Sequence, residues 1–316
     1  MDDGQKRQRL QEVVQEADEL LTFIEAHETF WKKNPTTVNR ALVVCRILNE
    51  RVLRNADGSV ELAPIRNMKD ILVSAVDTEA RFGNKGKTKW RGYKIATVEI
   101  GNTGFIAAAD TTKANGYDGD TLEKLVEQTP VELAEKPKFI GDTHYGSGNN
   151  RQQMADQKIE LVAPPSEKVK VQKLIDEGFA INQEHTILTC PMNRTFTKYN
   201  DVENGRTFSL PQGKCKSCSR FSQCFRGKRQ RNVFVHNHFE LLLEAEKYAQ
   251  TEQYREDIKL RARIEAKQNE LLNTYGLRRV RCLGERKLAF AARMNSKYDK
   301  NHLIAIFNIS EPENHH

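Results

Sequence analysis

Residues 138–148 constrain the fold of this 316-residue chain more than any other stretch. They read Lys-Phe-Ile-Gly-Asp-Thr-His-Tyr-Gly-Ser-Gly, so two apolar residues lead into Gly141 and the carboxylate of Asp142, and a helical pattern begins at Asn149. This order predicts a strand, an acidic tip, a tight turn and a helix. In an open α/β sheet, ligands and metals bind in the crevice at such strand ends. A single carboxylate there is often a helix cap or a solvated group instead, so both interpretations of Asp142 stay open.

The spacing of apolar residues predicts the elements around this unit. Two amphipathic helices come first, at 4–27 and 37–54. A basic loop at 81–89 is expected within a three-stranded meander formed by 71–76, 90–100 and 105–110. The remaining elements are a helix at 118–128, a strand at 159–163, a helix at 167–177 and helical sequence at 238–273. Ribonuclease-H-like nucleases have this order, although several α+β folds share it.

The predicted fold class is therefore α/β (α+β), with a ribonuclease-H-like core, N-terminal helices and a cysteine-rich zinc-binding insertion. We divide the chain into an N-terminal helical segment, the first part of the core, the insertion, and C-terminal helices that complete the core. Their bounds are 1–60, 61–180, 181–235 and 236–316.

Four of the six cysteines lie close together in the sequence: Cys190, Cys215, Cys218 and Cys224. Two cysteines separated by two residues can present both thiolates to one ion, and two more from flanking loops complete the tetrahedron of a structural zinc site. Such a site would hold a module that lacks its own core. Two alternatives stay open. Cys218 or Cys224 is simply buried, or a histidine replaces one ligand, the candidates being His185, His236 and His238.

The chain is basic, with 50 Lys and Arg against 43 Asp and Glu, a net charge of +7 and a pI near 9.0. This balance suits a polyanion such as DNA, but a solvated basic surface has the same composition. The candidate phosphate-binding residues lie in two clusters: Arg226, Lys228 and Arg229, and Arg278, Arg279 and Arg281. No apolar run approaches the roughly 20 residues of a membrane span, and no signal peptide begins the chain. We expect a cytoplasmic protein without a membrane partner.

Arg261 and Glu265 lie four residues apart on one helix face, where such a pair is ordinarily a surface ion pair. However, residues 261–265 and 275–281 together resemble the helix that carries the third catalytic acid of bacterial insertion-sequence DDE transposases. Residues 77–83, 142–148 and 159–164 are similar to other segments of that family. One branch of the family also has a cysteine cluster between its second and third acids. The likeness covers about 68–284.

The resemblance implies a ribonuclease-H-like core that binds two Mg²⁺ (or Mn²⁺) ions, nicks double-stranded DNA at transposon ends and transfers the strand. Asp142 and Glu265 would be metal ligands, since carboxylate oxygens suit these hard cations. Arg261 would orient Glu265 or contact phosphate. A homodimer is left open as the assembly, and the nucleoid is the expected location.

This chain departs from the family pattern in three places. The Asp-Ser-Thr or Asp-Gly-Thr motif that carries the first acid is absent, and Asp77 is the only acid that ends a predicted strand in a suitable place. Ile258 and Leu272 stand where the family has tyrosine and lysine. We expect 71–76 to take the place of the missing first strand. Two hypotheses follow: a DDE transposase or its catalytic portion, and a truncated, inactive, zinc-stabilised DNA-binding remnant.

Overall fold

The computed structural model describes residues 2–64, 70–101, 105–131, 134–165, 170–226, 230–279 and 283–298. The chain forms two compact units. The first comprises 1–96, 110–117 and 276–294, and the second comprises 97–109, 118–275 and 295–316. Helices and strands are mixed along the chain, as the predicted α/β class requires.

The first unit begins with three helices and a hairpin: α1 (Asp3–Ala26), α2 (Glu28–Trp31), α3 (Pro35–Arg51), β1 (Val52–Arg54) and β2 (Val60–Leu62). The two predicted helices are present. A capping box between Asp2 and Gln5 starts α1. Asn34 caps α3 by accepting a hydrogen bond from the Thr37 backbone. The second helix is shorter than predicted because residues 52–54 pair antiparallel with β2.

A three-stranded sheet follows, with the order β3 (Arg81–Lys85), β4 (Thr88–Ile100) and β5 (Phe105–Lys113). The predicted meander is thus present, but with a different first strand. Residues 71–76 form no strand, so their expected recruitment into the sheet is wrong. The Ser74 hydroxyl accepts the N–H groups of Val76 and Asp77, and the Glu50 carboxylate accepts that of Leu72. Side chains therefore satisfy backbone donors that a neighbouring strand would otherwise bind.

The second unit contains the predicted strand and helix around Asp142. A 3₁₀ turn (Asp118–Thr121) leads into α4 (Leu122–Glu127). Then β6 (Lys138–Ile140), α5 (Gly148–Asp156) and β7 (Glu160–Val162) form a β-α-β unit in which the two strands pair in parallel. This unit confirms the strand, turn and helix that the sequence predicts.

The cysteine-rich region contains α6 (Val171–Asp176) and two small sheets. The first has the order β10 (Thr195–Phe196), β9 (Leu188–Thr189), β8 (Ala180–Ile181). The second has the order β11 (Tyr199–Val202), β12 (Gly205–Pro211), β13 (Gln230–His236). Two short helices, α7 (Gln212–Cys215) and α8 (Phe221–Phe225), lie between β12 and β13.

This region has a hydrophobic core of its own, so the expectation that it lacks one is wrong. Alternate residues of β12 and β13 point to one face and are buried: Phe208, Leu210, Val233 and Val235. Phe225 of α8 and Phe239 join the same cluster. A zinc ion would therefore add to a folded region rather than replace its core.

The C-terminal helical region divides into α9 (Phe239–Tyr248) and α10 (Glu252–Asn273), which are followed by a 3₁₀ turn (Leu277–Arg279) and α11 (Glu285–Tyr298). The predicted helical sequence at 238–273 is divided into two helices because Thr251 caps α10, accepting a hydrogen bond from the Tyr254 backbone. α10 packs against both β6 and β7. No helix in the described ranges is long and apolar enough to cross a lipid bilayer.

Candidate metal centre

The loop after β6 holds the carboxylate of Asp142 in a defined place. The Gly141 N–H donates to the carbonyl of Val162, which continues the pairing of β6 with β7 to the end of the strand. An oxygen of Asp142 then accepts the N–H of His144 at 2.8 Å, and its carbonyl accepts that of Tyr145 at 3.1 Å. This Asx turn fixes the carboxylate and the imidazole side by side.

Asp118 joins these two side chains in one cluster. One ligand atom from each of Asp118, Asp142 and His144 lies within 4.8 Å of the other two. Within the described ranges no other group of three or more Asp, Glu, His or Cys side chains meets this condition. Asp118 and Asp142 are partly exposed and His144 is exposed, so the cluster is open to a substrate from solvent.

Asn150, in the first turn of α5, ties together the two loops that carry these residues. Its side-chain amide donates to the carbonyls of Gly119 and Tyr145, both at 3.1 Å. Ser147 caps the same helix by accepting the Asn150 N–H. The amide therefore connects the residue after Asp118 with the Asp142 loop.

Arg151 holds the other side of the Asp142 loop. This buried guanidinium donates to the carbonyls of Gly146, Leu161 and Ala163 at 3.2, 3.2 and 2.9 Å. Burial lowers the pKa of Arg151 from its ordinary value. The three bonds use all three nitrogens of the side chain and fasten the loop to the end of β7, so Arg151 is a positioning residue.

A buried ion pair fixes the start of β6 against α10. Asp257 is only 1% exposed and accepts hydrogen bonds from Lys138 at 2.9 Å, Tyr248 at 2.7 Å and Gln253 at 3.2 Å. Burial alone would raise the pKa of Asp257, but these donors outweigh it and the pKa is lowered. Burial, reinforced by the hydrogen bond to Asp257, raises the pKa of Tyr248 to about 12. Lys138 lies four residues before Asp142, so this network sets the position of the strand that leads to the cluster.

Arg261 and Glu265 form a surface pair on α10. The guanidinium lies 3.3 Å from the Glu265 carboxylate, whose side chain is 68% exposed, while the neighbouring Ile264 is buried. Glu265 is not a member of the cluster that contains Asp142. Its role as a metal ligand stays a prediction.

Asp77 belongs to the first unit, where it caps a helix. Its two oxygens accept hydrogen bonds from the Tyr93 hydroxyl at 2.6 Å and from the Gly284 N–H at 3.2 Å. Glu79 accepts the N–H of Glu285, the first residue of α11, at 2.7 Å. Burial and the bond to Asp77 raise the pKa of Tyr93. Carboxylates at a helix N-terminus stabilise it, so the geometry gives Asp77 a structural role.

The four cysteines line one small cavity of about 20 Å³, and all four are reduced. Burial raises the pKa of Cys215, an effect that Arg194 opposes. No three of the four sulfur atoms come within 4.8 Å of one another. The histidine alternatives contact other groups, since His238 hydrogen bonds with Asn149 and His185 with Glu240. The four thiols thus surround a common space more loosely than the ligands of a closed zinc site.

The proposed DNA-binding residues are only partly described. Arg226 is exposed, adopts a left-handed conformation with φ 45° and lies 3.8 Å from Glu177. Arg278 is exposed in the 3₁₀ turn before α11. Lys228, Arg229, Arg281 and the side chain of Arg279 lie outside the described residues.

Comparison with models of protein families shows to which family the chain belongs. The family model described as Transposase DDE domain matches residues 24–295. The chain belongs to the DDE transposases. None of the curated proteins or solved structures matches it. Membership confirms the resemblance seen in the sequence, and the matched span includes every residue of the cluster around Asp142.

Three residues of the candidate site carry no signal in the sequence. Asp118 begins the helix predicted at 118–128, and nothing in its spacing indicates that it meets Asp142. Asn150 and Arg151 read as ordinary helix residues. The nearest local signal is the His-Tyr-Gly sequence after Asp142, which places a metal-binding side chain two residues from the acid.

Proposed function

We propose that this chain cleaves and joins double-stranded DNA at transposon ends by divalent-metal-dependent phosphoryl transfer. The observation that carries the proposal is the cluster of Asp118, Asp142 and His144 at the end of β6 in a chain of the DDE family. Two carboxylates suit Mg²⁺ or Mn²⁺, and an imidazole ligand is better suited to Mn²⁺. The donor set therefore fits the metals that the resemblance implies.

In this proposal Asp118 and Asp142 hold the metal, and His144 adds a nitrogen ligand. A bound divalent ion would activate the attacking oxygen and stabilise the leaving oxygen of the displacement. Asn150 and Arg151 hold the two loops so that the ligands need little reorganisation when DNA arrives. Arg261 and Glu265 lie on an exposed face of α10, where the guanidinium can bind a phosphate oxygen and the carboxylate can accept a metal.

A second function, DNA binding without catalysis, is favoured by two observations. Both oxygens of Asp77 accept hydrogen bonds in the cap of α11, and Glu265 pairs with Arg261 on the surface. Glu265 is not a member of the cluster around Asp142, and the sequence carries no Asp-Ser-Thr or Asp-Gly-Thr motif. A two-metal mechanism needs a ligand that bridges both ions, and a chain without one would bind DNA but not cut it.

Cleavage assays with Glu265 variants separate the two functions. With Mn²⁺ and a labelled duplex carrying a transposon end, we expect Glu265→Gln to lower the cleavage rate by at least about 100-fold if Glu265 binds metal. Glu256→Gln is the matched control, because Glu256 is exposed on the same helix and pairs with Lys259. Wild-type protein that binds the duplex but leaves it uncut would establish the second function. Cleavage that survives Glu265→Gln unchanged would remove Glu265 from the mechanism.

We also propose that the cavity between Cys190, Cys215, Cys218 and Cys224 binds one structural zinc ion. Protein purified without chelator should contain about one zinc per chain, and Cys215→Ser with Cys218→Ser should lose it. Because Phe208 and Phe225 form a core beside the cavity, loss of zinc should expose α7 and α8 to protease without unfolding the second unit. Cys45→Ser is the control, since Cys45 lies on α3. Chelator-free protein with four titratable thiols and no zinc would refute the site.

A further inference from the structure

We propose that the hairpin formed by β3 and β4 is a surface that binds the phosphate backbone of duplex DNA. The inference rests on the proposed function only in taking DNA as the substrate. We call residues 81–91 the basic hairpin; three of its side chains form the contact surface: Lys87, Lys89 and Arg91.

Most of the net positive charge of the chain is carried by the hairpin and the residues that follow it. Residues 81–98 contain six Lys and Arg and no Asp or Glu, so +6 of the net charge of +7 lies in this segment. Two of the six cations are used inside the protein. Arg81 donates to the carbonyls of Thr78 and Ala80, and Lys94 donates to that of Gly116.

The strand register places two of the other four cations, Lys89 and Arg91, on one face. Asn84 lies opposite Lys89 and Phe82 lies opposite Arg91, and residues that face each other across an antiparallel pair share a side of the ribbon. Lys89 and Arg91 are two residues apart, so their side chains project in the same direction about 6.8 Å apart along the strand. Both are exposed. A two-stranded ribbon of this kind fits against a duplex.

The other face and the turn give the hairpin a fixed shape. Gly83 lies opposite Trp90, and a Cβ at this position would come within 2.5 Å of the indole ring, so the ring covers the glycine. The pair of Lys85 with Thr88 leaves a two-residue turn, and its first residue, Gly86, has φ +60°. A type II′ turn requires positive φ there. Lys87 follows at the tip and is exposed.

No carboxylate in the described part of the chain lies within 4 Å of the three surface cations, and residues 81–98 contain no acidic residue that could pair with them. Three exposed lysines elsewhere do pair with a neighbouring acid and serve as a comparison: Lys6 with Asp3 at 2.9 Å, Lys32 with Glu28 at 2.8 Å and Lys259 with Glu256 at 2.5 Å. Cations without acidic neighbours keep their full charge for an external anion. A row of them on a rigid ribbon fits a regular polyanion, and in a transposase that polyanion is the DNA duplex.

Salt-dependent binding tests the surface directly. The triple variant Lys87→Gln, Lys89→Gln and Arg91→Gln should bind duplex DNA with a slope of log affinity against log salt that is shallower by about 2 to 3, since each phosphate contact contributes about 0.9. The matched control replaces Lys6, Lys32 and Lys259 by glutamine, which removes the same charge from paired, exposed positions and should change the slope by less than about 1. The single variant Lys87→Gln, at the tip of the turn, should have a salt slope that is shallower by about 1, and it provides a test if the triple variant folds poorly.

The outcomes distinguish this proposal from the proposed function. If the salt slope is equally steep in the wild type and the hairpin variant, or equally reduced in the hairpin and control variants, the hairpin is not a DNA-binding surface. This result would not bear on the proposed cleavage activity. If the hairpin variant has a reduced salt slope and the wild type does not cleave DNA, the hairpin is a DNA-binding surface and the proposed catalytic function is wrong. If the hairpin variant loses affinity for an acidic peptide but not for the duplex, the hairpin binds a protein partner, and its assignment as a DNA-binding surface is wrong.

Discussion

Replacing Asp142 by asparagine should lower Mn²⁺-dependent cleavage of transposon-end DNA by at least about 100-fold. The amide keeps the size of the carboxylate, and its carbonyl oxygen can still accept the His144 N–H, so the turn should survive. The negative charge that binds the metal is lost. Initial rates from a gel assay, with protein matched for thermal stability, measure the effect.

Asp118→Asn should lower the same rate, since Asp118 shares the cluster, whereas Asp120→Asn should not. Asp120 is exposed, lies two residues from Asp118 and is outside the cluster, so it controls for loss of charge in this loop. If Asp142→Asn cleaves at more than about a third of the wild-type rate, the activity does not depend on this cluster. If Asp120→Asn is as impaired as Asp118→Asn, the loop acts through its overall charge.

Asp257→Leu should destabilise the protein by about 3–5 kcal/mol, because it removes the buried partner of the Lys138 ammonium and leaves only the half-exposed Glu160 carboxylate, 3.4 Å away. The side chains of Lys138 and Asp257 are 15% and 2% exposed, so water compensates little. Urea denaturation of the second unit measures the loss. Adding Lys138→Met to Asp257→Leu should recover much of it, since the double variant contains no unpaired buried charge.

The exposed pair of Glu256 and Lys259 on the same helix provides the comparison. Glu256→Leu should change the free energy of unfolding by no more than about 0.5 kcal/mol, because surface pairs contribute little. A change of under 1 kcal/mol for Asp257→Leu, or a double variant less stable than either single variant, would show that the network does not fix β6 against α10.

The strand, turn and helix around Asp142 could be predicted because their signals are local. An apolar run ends at Gly141, Ser147 caps the next helix, and the following strand pairs in parallel as a β-α-β unit requires. The alternation in β12 and β13 was equally local. Phe208 with Leu210, and Val233 with Val235, are spaced two apart, which is the local pattern of a buried strand face.

The three-stranded sheet was predicted less well because the contacts that decide its first strand are distant in sequence. Residues 71–76 have the composition of a strand, but Glu50 binds the N–H of Leu72 from 22 residues away. The loop expected at 81–89 is a hairpin. Its signal was the glycine opposite Trp90, where a glycine inside a strand marks a close approach.

The site itself depends on contacts that spacing does not encode. Asn150 reaches Gly119 across 31 residues and so brings Asp118 to Asp142. Asp77 is drawn into the cap of α11 by a bond to Gly284, 207 residues away. The carboxylate of Asp142 therefore joins a cluster of possible metal ligands and that of Asp77 a helix cap, since the fold decides which carboxylates already have partners.

An anomalous difference map from crystals soaked in Mn²⁺ tests the metal centre most directly. We predict one peak within about 2.5 Å of carboxylate oxygens of both Asp118 and Asp142, with His144 beside it, and its loss in crystals of Asp142→Asn. A map with no peak at these residues, or with its only peak elsewhere on the chain, would contradict the assignment of this cluster as the metal centre of the transposase.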